Sequence, residues 1–246
     1  MLIWEPSGVV SPISIPCNNN NIHSGWISVG DFEHNSEIPD ISGVPLVDPS
    51  EASTFATPKR AYEHAAARHV LATLLHDIGF EADKIAVSRN QYRKPNLVWK
   101  DITSSSLNQK LPEISLCHSG GIAIATVSVD AGPIGLDAEP LESMRSRNIL
   151  SMMSSADEMQ HLNDLWDVDE AVAIQETNRI WVIKESVQKA CGFGMHLPPQ
   201  SFAVHEHEDI TVNHSGQTYH IQTNHWVETL DDIPFQLGFS KVLGIS

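Results

Sequence analysis

The chain has 246 residues, 41% of them apolar, and a formal net charge of −16 from 15 basic and 31 acidic side chains. This length allows one large domain or two of roughly 120 residues with a real core. The three cysteines, Cys17, Cys117 and Cys191, are few, odd in number and unclustered. This pattern argues against a disulfide framework or a zinc site and favours the reducing cytoplasm. The first residues carry neither a basic start nor a long apolar run, so we expect no signal peptide and no membrane span.

The charge is distributed unevenly along the chain. Residues 1–58 hold seven acids and no Lys or Arg, whereas residues 59–100 hold eight bases against four acids. A small basic island in an acidic protein suits a compact polyanion such as a nucleotide, because the rest of the surface repels a long nucleic acid. We therefore expect neither DNA nor RNA as a partner. The basic residues of the island are Lys59, Arg60, Arg68, Lys84, Arg89, Arg93, Lys94 and Lys100.

The first half predicts an irregular start and then one helix with strands. Residues 1–58 hold seven of the fourteen prolines, and Trp26–Val29 is the one short strand expected there. Thr57 and Pro58 are a good N-cap and first helical residue, and Gly79 can end the helix that they begin. Two strands, 114–118 and 122–127, surround the turn at Gly120 and Gly121.

The second half predicts a strand, two helices and further strands. The apolar run beginning at Ile134 is the strand, and Ser155 to Glu158 form a capping box that starts a helix. A long helix is expected from about Asp169 to Ala190, with Gly192 beyond its end. The strands expected after it are 202–204, 210–212, 219–221 and 235–239. The stretch His205 to Glu208 has a metal-binding composition, but a polar loop explains it more simply.

Two acidic motifs about forty-five residues apart are the most informative feature of the chain. In the strand Ile134 to Glu139, Asp137 and Glu139 are two residues apart and point to the same face. In the helix Trp181 to Lys189, Glu185 and Lys189 are four residues apart and share one face. Burying paired carboxylates raises a pKa or requires a cation, and a site made of oxygen ligands suits Mg²⁺.

These motifs resemble those of the 4′-phosphopantetheinyl transferases, in particular the larger, monomeric, pseudo-dimeric kind that serves siderophore, peptide, polyketide and polyunsaturated fatty acid synthases. The family carries a Gly-hydrophobic-Asp-x-Glu strand and a Trp-x-x-Lys-Glu-Ser-x-x-Lys helix, both present here in the same order. Upstream, Lys59-Arg60 with Glu63 and Arg68 is similar to the basic motif of the family's first helix. Arg93-Lys94-Pro95 resembles its Gly-Lys-Pro loop, and Cys117-His118-Ser119 its Ser-His-Ser turn, with Arg93 and Cys117 departing from the pattern.

The resemblance implies an α+β fold of two similar halves, each a long helix packed on a small antiparallel sheet. It implies transfer of 4′-phosphopantetheine from coenzyme A to a serine of an acyl or peptidyl carrier protein, with release of 3′,5′-ADP. Residues 1–132 would hold the 3′-phosphate and adenine of coenzyme A, and residues 133–246 the metal and catalytic motifs.

The resemblance also implies roles for individual residues. Asp137, Glu139 and Glu185 would hold Mg²⁺ at the pyrophosphate, with Glu185 as ligand, base or both and Lys189 as a catalytic, phosphate-binding cation. The residues expected to bind coenzyme A are Lys59, Arg60, Arg68, Lys94, Pro95, His118, Ser119 and Lys189. The stretch Met144 to Ile149, with two arginines beside apolar residues, is a candidate surface for docking of the carrier protein.

Two other functions are compatible with parts of this pattern. A Mg²⁺-dependent phosphodiesterase or nuclease also uses clustered acids and a lysine, but the net charge of −16 opposes a nucleic-acid substrate. A catalytically inactive module that binds coenzyme A is the third possibility, and the intact Asp137, Glu139, Glu185 and Lys189 argue against it. The resemblance implies a monomer, and the sequence does not distinguish between carrier proteins or pathways.

Overall fold

The computed structural model describes residues 2–17, 21–30, 37–101, 109–143, 145–204 and 209–246. His205 to Glu208 and Met144, on which expectations were placed above, lie outside these residues. The chain divides into two compact units. Unit 1 comprises Met1–Ile15, Asn19–Asn90 and Pro95–Ala131, and unit 2 comprises Pro16–Asn18, Gln91–Lys94 and Gly132–Ser246.

Unit 1 packs one long helix on a four-stranded antiparallel sheet. Helix α2 (Pro58–Asp77) begins as predicted, because Thr57 caps it through the Arg60 amide and Pro58 fits its first turn. The remaining elements of this unit are α1 (Pro49–Ala52), β1 (Ser11–Pro12), β2 (Ile22–Ser28), β3 (Ile85–Arg89), β4 (Pro95–Trp99), β5 (Glu113–Ser119) and β6 (Ile122–Ser128). The sheet has the order β1-β2-β6-β5, and β3 and β4 form a separate antiparallel pair.

Unit 2 also packs a long helix on a four-stranded antiparallel sheet. Helix α5 (Glu170–Cys191) is capped by Asp169, whose carboxylate accepts from the amides of Ala171 and Val172. The other elements are α3 (Leu150–Met153), α4 (Ala156–Val168), β7 (Ile134–Pro140), β8 (Asp209–His214), β9 (Gln217–Leu230) and β10 (Ile233–Ile245). The strands of the sheet have the order β7-β10-β9-β8. The capping box predicted at Ser155 and Glu158 is present at the start of α4.

The α+β prediction is confirmed: the structure mixes antiparallel sheets with a few helices. Each unit has its own apolar core, centred on the helix face that covers the sheet. Val70, Leu71 and Leu75 are fully buried in unit 1, and Val182, Ile183 and Val187 in unit 2. Among the described residues, none of the helices has the length and apolarity that a membrane span requires.

The strand predicted at 202–204 is wrong. After the short 3-10 turn Pro199–Ser201, the backbone at these residues pairs with buried side chains instead of a neighbouring strand. The Phe202 carbonyl accepts from Lys184 Nζ at 2.5 Å, and the Val204 amide donates to Glu158 Oε1 at 2.7 Å. Since their backbone groups are already paired in this way, an alternating apolar pattern was not sufficient to form a strand.

Candidate functional site

Helix α5 lies directly against the sheet of unit 2 because two glycines leave room for its backbone. A Cβ atom at Gly135 of β7 would stand 1.9 Å from the Ser186 carbonyl oxygen, and one at Gly238 of β10 would stand 2.6 Å from the Val182 backbone. Gly238 is paired with Asp137 in the sheet register. Because side chains two apart on a strand share a face, Asp137 and Glu139 point to the same side as Gly135, toward α5.

Asp137 and Lys189 form the closest contact of this face. Lys189 Nζ donates to Asp137 Oδ1 at 2.6 Å and to the Leu136 carbonyl at 3.2 Å. Burial raises the pKa of Asp137 above its usual range, and the Lys189 ammonium opposes that rise. The predicted strand carboxylate and the predicted helix lysine are therefore brought together by the fold.

Glu139 lies beside an arginine that follows the strand. Arg145 Nη2 is 3.0 Å from Glu139 Oε1, and Arg145 Nε donates to Asn178 Oδ1 at 2.7 Å. The guanidinium also stacks over the Trp181 ring, 4.7 Å from its centroid. Arg145 thus turns toward the acidic residues rather than outward, while Arg147 pairs with Asp167 at 2.7 Å and is exposed.

Glu185 is the least satisfied carboxylate of the group. Burial raises its pKa, the charges of Asp137 and Glu139 raise it further, and Lys189 and Arg145 oppose the rise. Within the described part of the chain, the Glu185 carboxylate accepts no hydrogen bond and forms no ion pair. A half-buried carboxylate with a raised pKa and unused acceptors is suited to take a proton or to bind a cation.

Asp137, Glu139 and Glu185, with Lys189 and Arg145, are called the acidic cluster below. Three carboxylates that influence one another's charge provide the hard oxygen ligands that Mg²⁺ prefers. Among the described residues, however, no three His, Cys, Asp or Glu side chains are already gathered in a metal-binding arrangement. Asp137 and Glu139 are each held by a cationic side chain, so a metal ion would have to share or replace these contacts. The donor chemistry fits a divalent metal.

In unit 1, the N-terminal turn of α2 meets the end of β5. Arg60 Nη1 lies 2.5 Å from His118 Nε2, and His118 Nδ1 is 3.3 Å from Glu63 Oε2. Lys59 is exposed and stands 3.8 Å from Glu63. Three of the predicted ligands of coenzyme A therefore surround one glutamate, and Ser119 follows His118 at the end of the same strand.

Arg68 occupies a different position, inside unit 1. Its side chain is 2% exposed and lies 3.7 Å from Glu51, which also pairs with Arg89 at 2.6 Å. Burial lowers the pKa of Arg68 to about 10, and burial together with the Arg68 charge lowers that of His64 to about 4. Arg68 Nε and Nη1 are buried and donate to none of the described residues. Glu51 contacts Arg68 through Nη2, so it orients the guanidinium but does not accept a hydrogen bond from Nε or Nη1.

The predicted Arg93-Lys94-Pro95 loop is divided between the two units. Lys94 belongs to unit 2, where its Nζ donates to the Ala190 carbonyl at 3.3 Å, near the C-terminus of α5. Pro95 belongs to unit 1 and begins β4. Arg93 has φ 69°, in the left-handed region that favours glycine, which is the residue that the family resemblance leads one to expect there.

Two residues in or beside the acidic cluster, Arg145 and Asn178, were not predicted as site residues. Arg145 was expected on a docking surface, and Asn178 was not singled out at all. Arg145 follows Glu139 by six residues across an irregular connection, so no spacing rule predicts that they meet. Asn178 precedes Glu185 by seven residues, two helical turns along the same face of α5, which was an available but weak signal.

Comparison with known proteins supports the interpretation of unit 2. Residues 133–237 match the 4′-phosphopantetheinyl transferase superfamily. The matched segment contains Asp137, Glu139, Glu185 and Lys189, and it covers less than half of the chain. No curated protein matches the chain significantly. The family match supports a transferase of the phosphopantetheinyl transferase kind, and it does not extend to the basic residues of unit 1.

Proposed function

We propose that this protein transfers 4′-phosphopantetheine from coenzyme A to a serine of an acyl or peptidyl carrier protein, giving the holo-carrier and 3′,5′-ADP. One observation carries the proposal. The carboxylates of β7 and the carboxylate and lysine of α5 come together within the segment that matches the transferase superfamily. Attack on a pyrophosphate requires neutralised charge and an oriented hydroxyl; these carboxylates would hold the metal ion that neutralises the charge, and Glu185 would orient the hydroxyl.

In the proposed reaction, the serine oxygen forms a bond to the phosphorus that carries pantetheine, and the bond from that phosphorus to the 3′,5′-ADP oxygen breaks. Asp137, Glu139 and Glu185 would hold Mg²⁺, which when bound neutralises charge on the pyrophosphate. Glu185 takes the serine proton, because it is the carboxylate with unused acceptors and a raised pKa. Lys189, already directed at Asp137, faces the developing negative charge.

For unit 1 we propose binding of the 3′-phosphate and adenine end of coenzyme A. Arg60, His118 and Lys59 would meet the 3′-phosphate, whereas Arg68, which was also expected there, is 2% exposed and would support the site from inside unit 1. Ser119 and Pro95, also of unit 1, complete the set proposed there for the adenine and ribose, and Lys94 of unit 2 is proposed separately as a coenzyme A ligand.

We further propose the larger, pseudo-dimeric subtype that acts as a monomer, because each unit packs a long helix on a four-stranded antiparallel sheet. A cytoplasmic location is proposed from the unclustered cysteines.

The decisive experiment is transfer to a carrier protein measured by mass spectrometry. Incubated with coenzyme A and Mg²⁺, an apo-carrier domain should gain the mass of one phosphopantetheine arm. Glu185→Gln preserves size and helix propensity but removes the charge, so transfer should fall by ~10²–10⁴, the range that loss of a general base covers. Glu170→Gln, at an exposed position in the first turn of the same helix, should retain activity. Near-normal transfer by a folded Glu185→Gln variant would contradict the proposed mechanism.

A second experiment addresses unit 1. Arg60→Ala and His118→Ala should weaken binding of coenzyme A by about tenfold while changing binding of 3′-dephospho-coenzyme A little, since only the former carries the 3′-phosphate. Isothermal calorimetry measures the binding of both ligands to the same variant, so that the loss for one ligand can be compared directly with the loss for the other. Lys84→Ala is the matched control, because Lys84 belongs to the same basic island but pairs with Glu81 at 2.7 Å. Equal losses for both ligands would place Arg60 and His118 outside the 3′-phosphate site.

A further inference from the structure

Arg145 is held more firmly than an ordinary surface arginine. Its Nε donates to Asn178 at 2.7 Å, its Nη2 pairs with Glu139 at 3.0 Å, and its guanidinium stacks on Trp181. Asn178 is fixed in turn, since its Nδ2 donates to the carbonyls of Leu141 and Ser143 at 3.2 and 3.0 Å. These contacts, with Asn178 and Trp181 of α5 and with Glu139 of β7, restrict the guanidinium to one orientation before any ligand arrives.

One end of this guanidinium is left for another partner. Arg145 Nη1 forms no hydrogen bond with any described residue, and it is not among the buried side-chain nitrogens that lack a partner. The side chain as a whole is 14% exposed. Pairing with Glu139 does not explain this oriented donor, because Nη2 already forms that contact.

The charge of the acidic cluster indicates what this donor meets. Three carboxylates face two cations, Lys189 and Arg145, so the ionised cluster carries one net negative charge. A bound divalent cation makes the cluster net positive, and an anionic substrate group is then attracted to it. A planar guanidinium matches the oxygen spacing of a phosphate and offers donors in a fixed fork.

We infer that Arg145 is a further substrate-binding residue, which donates from Nη1 to a pyrophosphate oxygen of coenzyme A beside the metal-binding carboxylates. This inference rests on the proposed function. It adds a cation from outside both acidic motifs, in a stretch whose arginines were first expected to face the carrier protein.

The test compares Arg145→Gln with Arg147→Gln, which removes an arginine two residues away that pairs with Asp167 instead. Arg145→Gln should weaken binding of coenzyme A by ~10–100-fold in calorimetry, both with Mg²⁺ and in chelator, because a charge-assisted hydrogen bond is lost. The kcat/KM for carrier modification should fall by a similar factor. Arg147→Gln should bind coenzyme A within about twofold of the unsubstituted protein, because its guanidinium pairs with Asp167 and not with the acidic cluster. Arg145→Lys, which keeps the charge but not the fork, should recover part of the binding.

Unchanged binding of coenzyme A by Arg145→Gln overturns the inference. So does tighter binding of Mg²⁺ with coenzyme A binding intact, which would make Arg145 only a counter-ion of Glu139. If the unsubstituted protein binds coenzyme A but transfers nothing to the carrier, the proposed function fails, while calorimetry still decides the role of Arg145. Circular dichroism of each variant identifies any loss of binding that comes from unfolding, and Arg145→Lys provides the folded comparison in that case.

Discussion

Helix α5 carries two lysines five residues apart, and each forms an ion pair of 2.6 Å with a carboxylate, Lys184 with Glu158 and Lys189 with Asp137. The first pair is sealed, since its side chains are 1% and 0% exposed. The second is partly open, at 26% and 11%. Two contacts of equal length therefore lie in very different surroundings.

The pairs also differ in how completely their hydrogen bonds are satisfied. Lys184 Nζ donates to the carbonyls of Pro199 and Phe202 as well as to Glu158. Glu158 in turn accepts from the amides of Ser155 and Val204. The Lys189 pair belongs to the acidic cluster, where Glu185 accepts no hydrogen bond from the described residues. A closed network stabilises a fold, whereas an open one with unused acceptors is available for chemistry.

The largest expected effect comes from breaking the sealed pair. Lys184→Met leaves Glu158 as a buried charge without its cation, so the free energy of unfolding should fall by about 3–5 kcal/mol. Lys189→Met, at the more open pair, should lower it by less than Lys184→Met does, because the side chains of Lys189 and Asp137 are 26% and 11% exposed and their charges are less completely removed from water. Urea denaturation of both variants measures the difference.

The double variant Lys184→Met/Glu158→Leu sharpens the comparison. It removes both buried charges, so it should recover part of the stability lost by Lys184→Met. Equal losses for Lys184→Met and Lys189→Met would show that burial does not distinguish the two pairs. For the rate of carrier modification we expect the opposite order, with the larger loss in Lys189→Met, since only Lys189 belongs to the proposed catalytic residues.

The parts of the fold that local signals determine were predictable. Helix α2 starts at Pro58 after the Thr57 cap, and Gly192 stands beyond the end of α5, because capping depends on a few neighbouring residues. The full length of β9 was not predictable. Only residues 219–221 were recognised, since the rest of Gln217–Leu230 is rich in polar residues and is extended by pairing with β10.

The candidate site divides in the same way. The shared faces of Asp137 with Glu139 and of Glu185 with Lys189 follow from the periods of a strand and a helix. The contact of Lys189 with Asp137 depends on α5 crossing β7 at Gly135, a long-range packing event. The inward turn of Arg145 depends on Asn178 and Trp181, which no local pattern connects with it.

The smallest expected effect is the contribution of Glu185, in the acidic cluster, to the free energy of unfolding of the protein in the absence of metal. The pKa of Glu185 is raised in the folded protein by burial and by Asp137 and Glu139. The folded state therefore binds the proton of Glu185 more tightly than the unfolded state does. It follows that the ionised carboxylate costs stability above the folded pKa, and that this cost disappears as the pH falls below the unfolded pKa.

Glu185→Gln, which abolishes the proposed catalysis, should accordingly raise the free energy of unfolding at pH 7 in chelator by up to roughly 1 kcal/mol. The gain should shrink as the solution is acidified toward pH 4, because the protonated Glu185 and the glutamine are then equally neutral. Glu170→Gln, in the first turn of α5, should instead lose a few tenths of a kcal/mol at pH 7, since an acid there favours the helix dipole. Urea denaturation of the unsubstituted protein, Glu185→Gln and Glu170→Gln across this pH range measures both the expected gain and the expected loss of stability. A loss of stability in Glu185→Gln at neutral pH would mean that the ionised Glu185 has favourable partners in the folded protein. The Lys189–Asp137 pair would then belong to a structural network like that of Lys184 and Glu158.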